Sequence, residues 1–135
     1  MAIILLDTMA IIDAIKGKDG RAEFLDHLLE QRNLLACCSI NVTEVYAGMR
    51  AQEARVTEEL LRSLKFYEVT WDIARKAGEL KNEWAKQGFT LFLPDVTIAA
   101  VAITHGLTLM TGNRKDFPMP ELRFLAVPGA APANE

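Results

Sequence analysis

Apolar residues recur in two rhythms along this chain. Five short stretches are candidate strands: Ala2–Leu6, Leu34–Cys38, Lys65–Val69, Leu107–Thr111 and Leu122–Val127. The first is continuously apolar, as expected of a strand covered on both faces. Between these stretches the spacing becomes helical. Met9–Ile15 predicts a short helix ending at Gly17, and Arg21–Gln31 sets Phe24, Leu25, Leu28 and Leu29 at helical intervals. After the second strand, a helix is expected to begin with Ser39 or Asn41 as its cap and to run to about Arg50. Glu53–Leu64 predicts another, rich in charge on one side, and Trp71–Gln87 a long amphipathic helix closed by Gly88. Leu93–His105 is nearly all apolar and ends at Gly106, so it predicts an internal helix.

Short apolar strands alternating with helices define an α/β class, with a mostly parallel central sheet of about five strands and helices on both faces. A length of 135 residues suits one domain. The fold is expected over residues 1–127, and the PGAAPANE segment at 128–135 is expected to be a flexible tail. In open sheets of this class, ligands sit just beyond the carboxyl ends of the strands. That edge is where chemistry is expected.

Composition narrows the picture. Half the residues are hydrophobic and 24% are charged, which supports a sizeable core and excludes wholesale disorder. The 15 Lys and Arg against 18 Asp and Glu oppose indiscriminate coating of nucleic acid, though not a local basic strip. Cys37 and Cys38 are neighbours, poorly placed to bridge each other, with no second pair for a metal clamp. Reduced core thiols in a cytoplasmic protein are the expectation. MAIILLDT has no basic region before its apolar run and reaches an acid at position 7, unlike a secretory signal. No apolar stretch approaches the roughly 20 residues of a membrane helix, so no membrane partner is expected.

The acids change the picture most. Asp7 follows the first strand, Glu44 lies in the first turns after the second, Asp95 opens the internal helix, and Asp116 follows LTLMT. All four therefore fall near the carboxyl edge of the expected sheet, whereas Glu58, Glu59, Glu79 and Glu83 lie on polar helix faces. Singly, each has an ordinary explanation, since an acid in a first helical turn complements the helix dipole by about 0.3–1 kcal/mol. Together they repel and raise one another's pKa unless a cation compensates. Hard divalent cations with oxygen ligands suit that role. Such an ion can activate a bound water and stabilise a leaving oxygen without a protein nucleophile. His27, in a charged helix, and His105, at a helix C-terminus, have ordinary structural explanations.

The segments LLDT, NVTEVYAGMR and PDVTIAAVAITHGLTLMTGNRKDF, in this order and spacing, resemble the PIN-domain ribonucleases, and most nearly the VapC-type toxins of toxin–antitoxin pairs. The resemblance spans roughly residues 3 to 127. It implies an Mg²⁺- or Mn²⁺-dependent endoribonuclease in which Asp7, Glu44, Asp95 and Asp116 form the catalytic, metal-ligating quartet. Thr111 and Asn113 match polar positions beside that site, for positioning water or substrate. The resemblance also implies a VapB-like antitoxin that wraps the toxin and obstructs its site. One departure is Met9, where the family often has a small polar residue; its loss removes a hydrogen bond of the kind that supports metal ligands.

RNA binding by an acidic chain requires basic groups gathered locally. Arg50, Arg55, Arg114 and Lys115 are the candidates for phosphate contact, against the alternative of solvated charged surface. Met49, Leu60, Leu61 and Trp84 serve either a partner (an antitoxin or a second copy in a homodimer) or the core. Two rival functions are a PIN-like module that binds RNA or protein without cutting and a phosphoacceptor signalling domain. Met9 alone supports the first. The second lacks the acid pair after the first strand and a lysine after the last.

Overall fold

The computed structural model describes residues 1–128, so the expected tail lies outside the described residues from position 129 onward. The strands are β1 (Ile3–Leu6), β2 (Leu34–Cys38), β3 (Lys65–Tyr67), β4 (Thr108–Thr111) and β5 (Arg123–Ala126). The α-helices are α1 (Thr8–Ile15), α2 (Arg21–Glu30), α3 (Ser39–Ala47), α4 (Ala54–Ser63), α5 (Trp71–Ala85) and α6 (Leu93–His105). All strand pairs are parallel, in the order β3-β2-β1-β4-β5.

The period of two within β1 builds two cores at once. Leu5 enters a cluster with Ile73, Ala77 and Leu80 of α5 and the apolar run of α6. Ile4 and Leu6 point the other way, to Ile11 of α1, Leu25 and Leu28 of α2 and Leu61 of α4. Cys37 and Cys38 divide between these same two clusters, so neighbouring thiols face opposite sides of the sheet and both are free. The expected core thiols are found.

Helix α6 is internal because Val96 and Ile98 through Ala102 are all essentially solvent-free. Its small residues let α5 lie along it. The chain leaves α6 through Gly106 at φ 65, a left-handed position that a side chain would strain.

Boundaries differ at the helix starts and ends. Neither Ser39 nor Asn41 caps α3; Cys38 occupies the cap position. Ser39 Oγ instead accepts the Val69 N–H at 2.9 Å, tying the chain beyond β3 to the start of α3. Helix α3 ends at Ala47 rather than near Arg50, because a separate 3₁₀ turn, Ala51–Glu53, redirects the chain into α4. Leu61 is buried, and Leu60 and Trp84 are half-buried against the cores, so all three contribute to packing. Met49 is half-buried. Exposed apolar groups lie elsewhere, at Trp71 (83%), Phe92 (65%) and Leu93 (60%). Among the described residues, no helix is long and apolar enough to cross a membrane.

Candidate active site

The strand order reverses beside β1: the chain builds β2 and β3 outward on one flank, then crosses to β4 and β5 on the other. Such a switch point leaves a crevice at the carboxyl edge. Asp7 stands at its floor. Its N–H bonds the Met110 carbonyl across the crevice at 2.9 Å. Extended backbone at Asp7 (φ −67, ψ 153) makes it the cap of α1, with Oδ1 accepting the Thr8 N–H at 2.8 Å. Oδ2 accepts the Thr111 hydroxyl at 2.6 Å. Thr111 Oγ1 in turn accepts the Asn113 N–H at 3.0 Å, so the turn after β4 is held to the same carboxylate.

A second chain of hydrogen bonds reaches Glu44. Asn41 is fully buried; its Oδ1 accepts the Cys38 N–H at 2.8 Å, and its Nδ2 donates to Thr8 Oγ1 at 2.9 Å. The Thr8 hydroxyl then donates to Glu44 Oε1 at 2.7 Å. Asn41 therefore orients Thr8, and Thr8 orients Glu44. Neither positioning role was read from the sequence, where Asn41 is named only as a candidate cap. The available signals were the hydroxyl directly after Asp7 and the amide one helical turn before Glu44.

Asp95 sits in the first turn of α6, behind Pro94. Burial, followed by the charges of Asp7, Asp116 and Glu44, pushes its pKa up to about 6. Burial likewise raises the Asp7 carboxyl, with Glu44 and Asp116 adding to the effect while the Thr111 and Thr8 hydrogen bonds oppose it. Asp7 and Asp95 thus both feel the charges of Glu44 and Asp116 across the crevice. The four acids do not yet clasp: among the described residues, no three stand close enough to hold one metal ion. The two observations describe different distances, because Coulomb coupling acts over several ångströms whereas Mg²⁺–oxygen bonds are about 2 Å. The donor chemistry is right for a hard divalent cation, being carboxylate throughout, and the crowded charge favours one. Ligation requires these side chains to turn inward.

Met9 is half exposed, and the hydroxyls at the acids come from Thr8 and Thr111. Arg114 and Lys115 are exposed in the short 3₁₀ turn that carries Asp116, with Arg114 lying 4.4 Å over the Phe124 ring. Arg50 is engaged by Glu53 at 2.7 Å, and Arg55 by Glu59 at 2.9 Å on exposed α4. The structure therefore ties Thr111, and Asn113 through it, to Asp7, while Arg114 and Lys115 share the turn of Asp116 and Arg50 and Arg55 are paired with other carboxylates.

A parallel sheet with interacting acids at its switch point defines the acid-site α/β domains. The chain belongs to the PIN-domain family, whose pattern matches residues 4–120. Its curated relatives include Ribonuclease VapC10 of Mycobacterium tuberculosis, 32% identical over 132 residues covering 96% of this chain and 98% of the relative. Ribonuclease VapC19 of the same organism is 31% identical over 120 residues, covering 88% and 96%. Among solved structures, VapBC2 from Rickettsia felis bound to a promoter DNA fragment aligns with a TM-score of 0.80 at 28% identity. That alignment covers 93% of this chain and 98% of the other.

Proposed function

We propose that the protein is a metal-dependent endoribonuclease toxin, restrained by a VapB-like antitoxin. The observation that carries the reading is the gathering of acids from separate segments at one crevice: Asp7 and Asp95 are both raised, by burial first and then by Glu44 and Asp116, with Asp7 also acting on Asp95. Asp7, Glu44, Asp95 and Asp116 would hold the ion, Mg²⁺ or Mn²⁺, with Asp7 and Glu44 already oriented by Thr111 and Thr8. When bound, such an ion supplies Lewis acidity to the scissile phosphate and lowers the pKa of a water. The chain's own residues align the rest. Asn113, fastened through Thr111, borders the crevice where substrate enters. Arg114 and Lys115 meet flanking phosphates, with Arg50 a more distant contact that must first leave Glu53.

The partners follow from the same surfaces. An apolar groove of about 490 Å³, lined by Leu25, Leu29, Leu34, Val56 and Leu60, suits the apolar face of an antitoxin helix. The VapBC2 assembly among the structural neighbours supports an antitoxin as the partner. Trp71, Phe92 and Leu93, exposed at the starts of α5 and α6, suit a homodimer contact. Buried reduced thiols support a cytoplasmic location.

The test is RNA cleavage by the purified chain with Mg²⁺, Mn²⁺ or EDTA, alongside Asp95→Asn. The account expects cleavage with metal only, and a loss of at least about a hundredfold in the variant. Binding of RNA with no cleavage under any condition would favour the non-cutting module instead.

A further inference from the structure

Beside the acids, a cleft of about 770 Å³ opens between the starts of α1 and α2 and the turn after β4. Met9, two residues past Asp7, and Asn113, held by Thr111, line it together with Asp13, Asp19, Arg21 and Val127. Arg21 is unusual. Its side chain is only 6% exposed, yet its ion pair with Asp13 is long, at 4.0 Å from Nε. That Nε is buried and has no hydrogen-bond partner among the described residues. Nη1 makes a stretched bond to the Pro128 carbonyl at 3.4 Å. A guanidinium carries five N–H donors, and burying it with so few acceptors is unfavourable unless something else supplies them. Arg21 also lines the cleft, so a group bound there can meet its guanidinium.

We propose that this cleft is the base pocket for the nucleotide flanking the scissile phosphate, and that it selects guanine. The proposal rests on the ribonuclease reading above. Single-stranded RNA is read by splaying a base out and contacting its edges. Guanine offers O6 and N7 as paired acceptors, the arrangement that an arginine fork matches. Its adjoining edge offers N1–H and N2–H donors to the Asp13 and Asp19 carboxylates. Met9 supplies a polarisable apolar surface against the ring face. Adenine places an amine where Arg21 needs an acceptor. Pyrimidines have no acceptor equivalent to N7, so one arm of the arginine fork is left unpaired. Met9, which replaces a small polar residue at the family position, thereby becomes a wall of the pocket.

Two measurements on the full chain decide it. Cut sites are mapped on a random-sequence RNA pool for the wild type, Asp13→Asn and Arg21→Lys. Guanine is expected to be enriched about tenfold at one flanking position, with the enrichment lost in both variants whatever their rate. Because the readout is a ratio between bases, a merely structural role does not move it; Asp13→Asn suffices if Arg21→Lys fails to fold. Separately, 5′-GMP, AMP, CMP and UMP are titrated into Asp95→Asn by calorimetry, and GMP is expected to bind about tenfold tighter than the rest. Cleavage without base preference, preference unchanged in folded variants, or equal binding of all four nucleotides overturns the pocket. If no RNA is cut, the ribonuclease reading fails, and the titration still decides the pocket.

Discussion

Asp95 and Asp7 both contribute to the pH dependence of the site, and Asp95 shows its sign most plainly. The ordinary Asp95 carboxyl value is 3.8 and its folded value is about 6, so the native state holds this proton more tightly than the unfolded chain. Stability of the metal-free protein should therefore fall as pH rises from about 4 to about 6, with the loss persisting above. Thermal unfolding in EDTA should show that decline, and Asp95→Asn should flatten it. Mg²⁺ should restore more stability at about pH 7.5 than at about pH 5, because the ion competes with the proton for the same oxygens. Thr111→Val preserves shape while removing the donor to Asp7. Asp7 should become harder to ionise, metal affinity should drop roughly tenfold, and the acid limb of cleavage should move to higher pH. Unaltered metal binding in that variant would remove Thr111 from the site. All four acids were legible in sequence because each follows an apolar segment. Thr8 and Asn41 were not, because their role is a hydrogen-bond chain between the first and third helices that no local spacing announces.

At the scale of elements, the site depends on β1 and β4 lying side by side. Leu109, fully buried between Leu5 and Phe124, pairs in register with both neighbours. Leu109→Ala should cost about 2–5 kcal/mol, read as a lower urea midpoint, and should weaken metal binding in the folded fraction. The buried helix α6 and strand β2 were located in sequence to the residue, since uninterrupted apolar runs and a glycine stop leave little choice. The cap of α3 was misplaced for a physical reason. Asn41 makes a capping-type bond to the Cys38 N–H from inside the first turn, and Ser39 is diverted to Val69. Sequence shows which residues are able to cap, and tertiary competition decides which one does.

For the whole molecule, the order of strands was beyond the sequence, which indicated only that they are parallel. The crossing from β3 to β4, which lays β4 beside β1, is set by long-range packing, and it makes the carboxyl edge a single crevice. Binding of RNA there is expected to weaken with salt, and neutralising both Arg114 and Lys115 should reduce the slope by about 0.7 for each charge that meets a phosphate. An unchanged slope would assign them to solvated surface. Placing Glu at Trp71 and Phe92 should shift the protein to monomer by analytical ultracentrifugation if those exposed side chains meet a second copy. The most direct test of the account is a count of Mn²⁺ bound to the purified chain at neutral pH, measured by electron paramagnetic resonance. The account predicts saturable binding that weakens at least tenfold in Asp95→Asn and in Asp7→Asn alike. Equal Mn²⁺ affinity in the wild type and both variants would mean that the acids do not share an ion, and the mechanism built on them would fall.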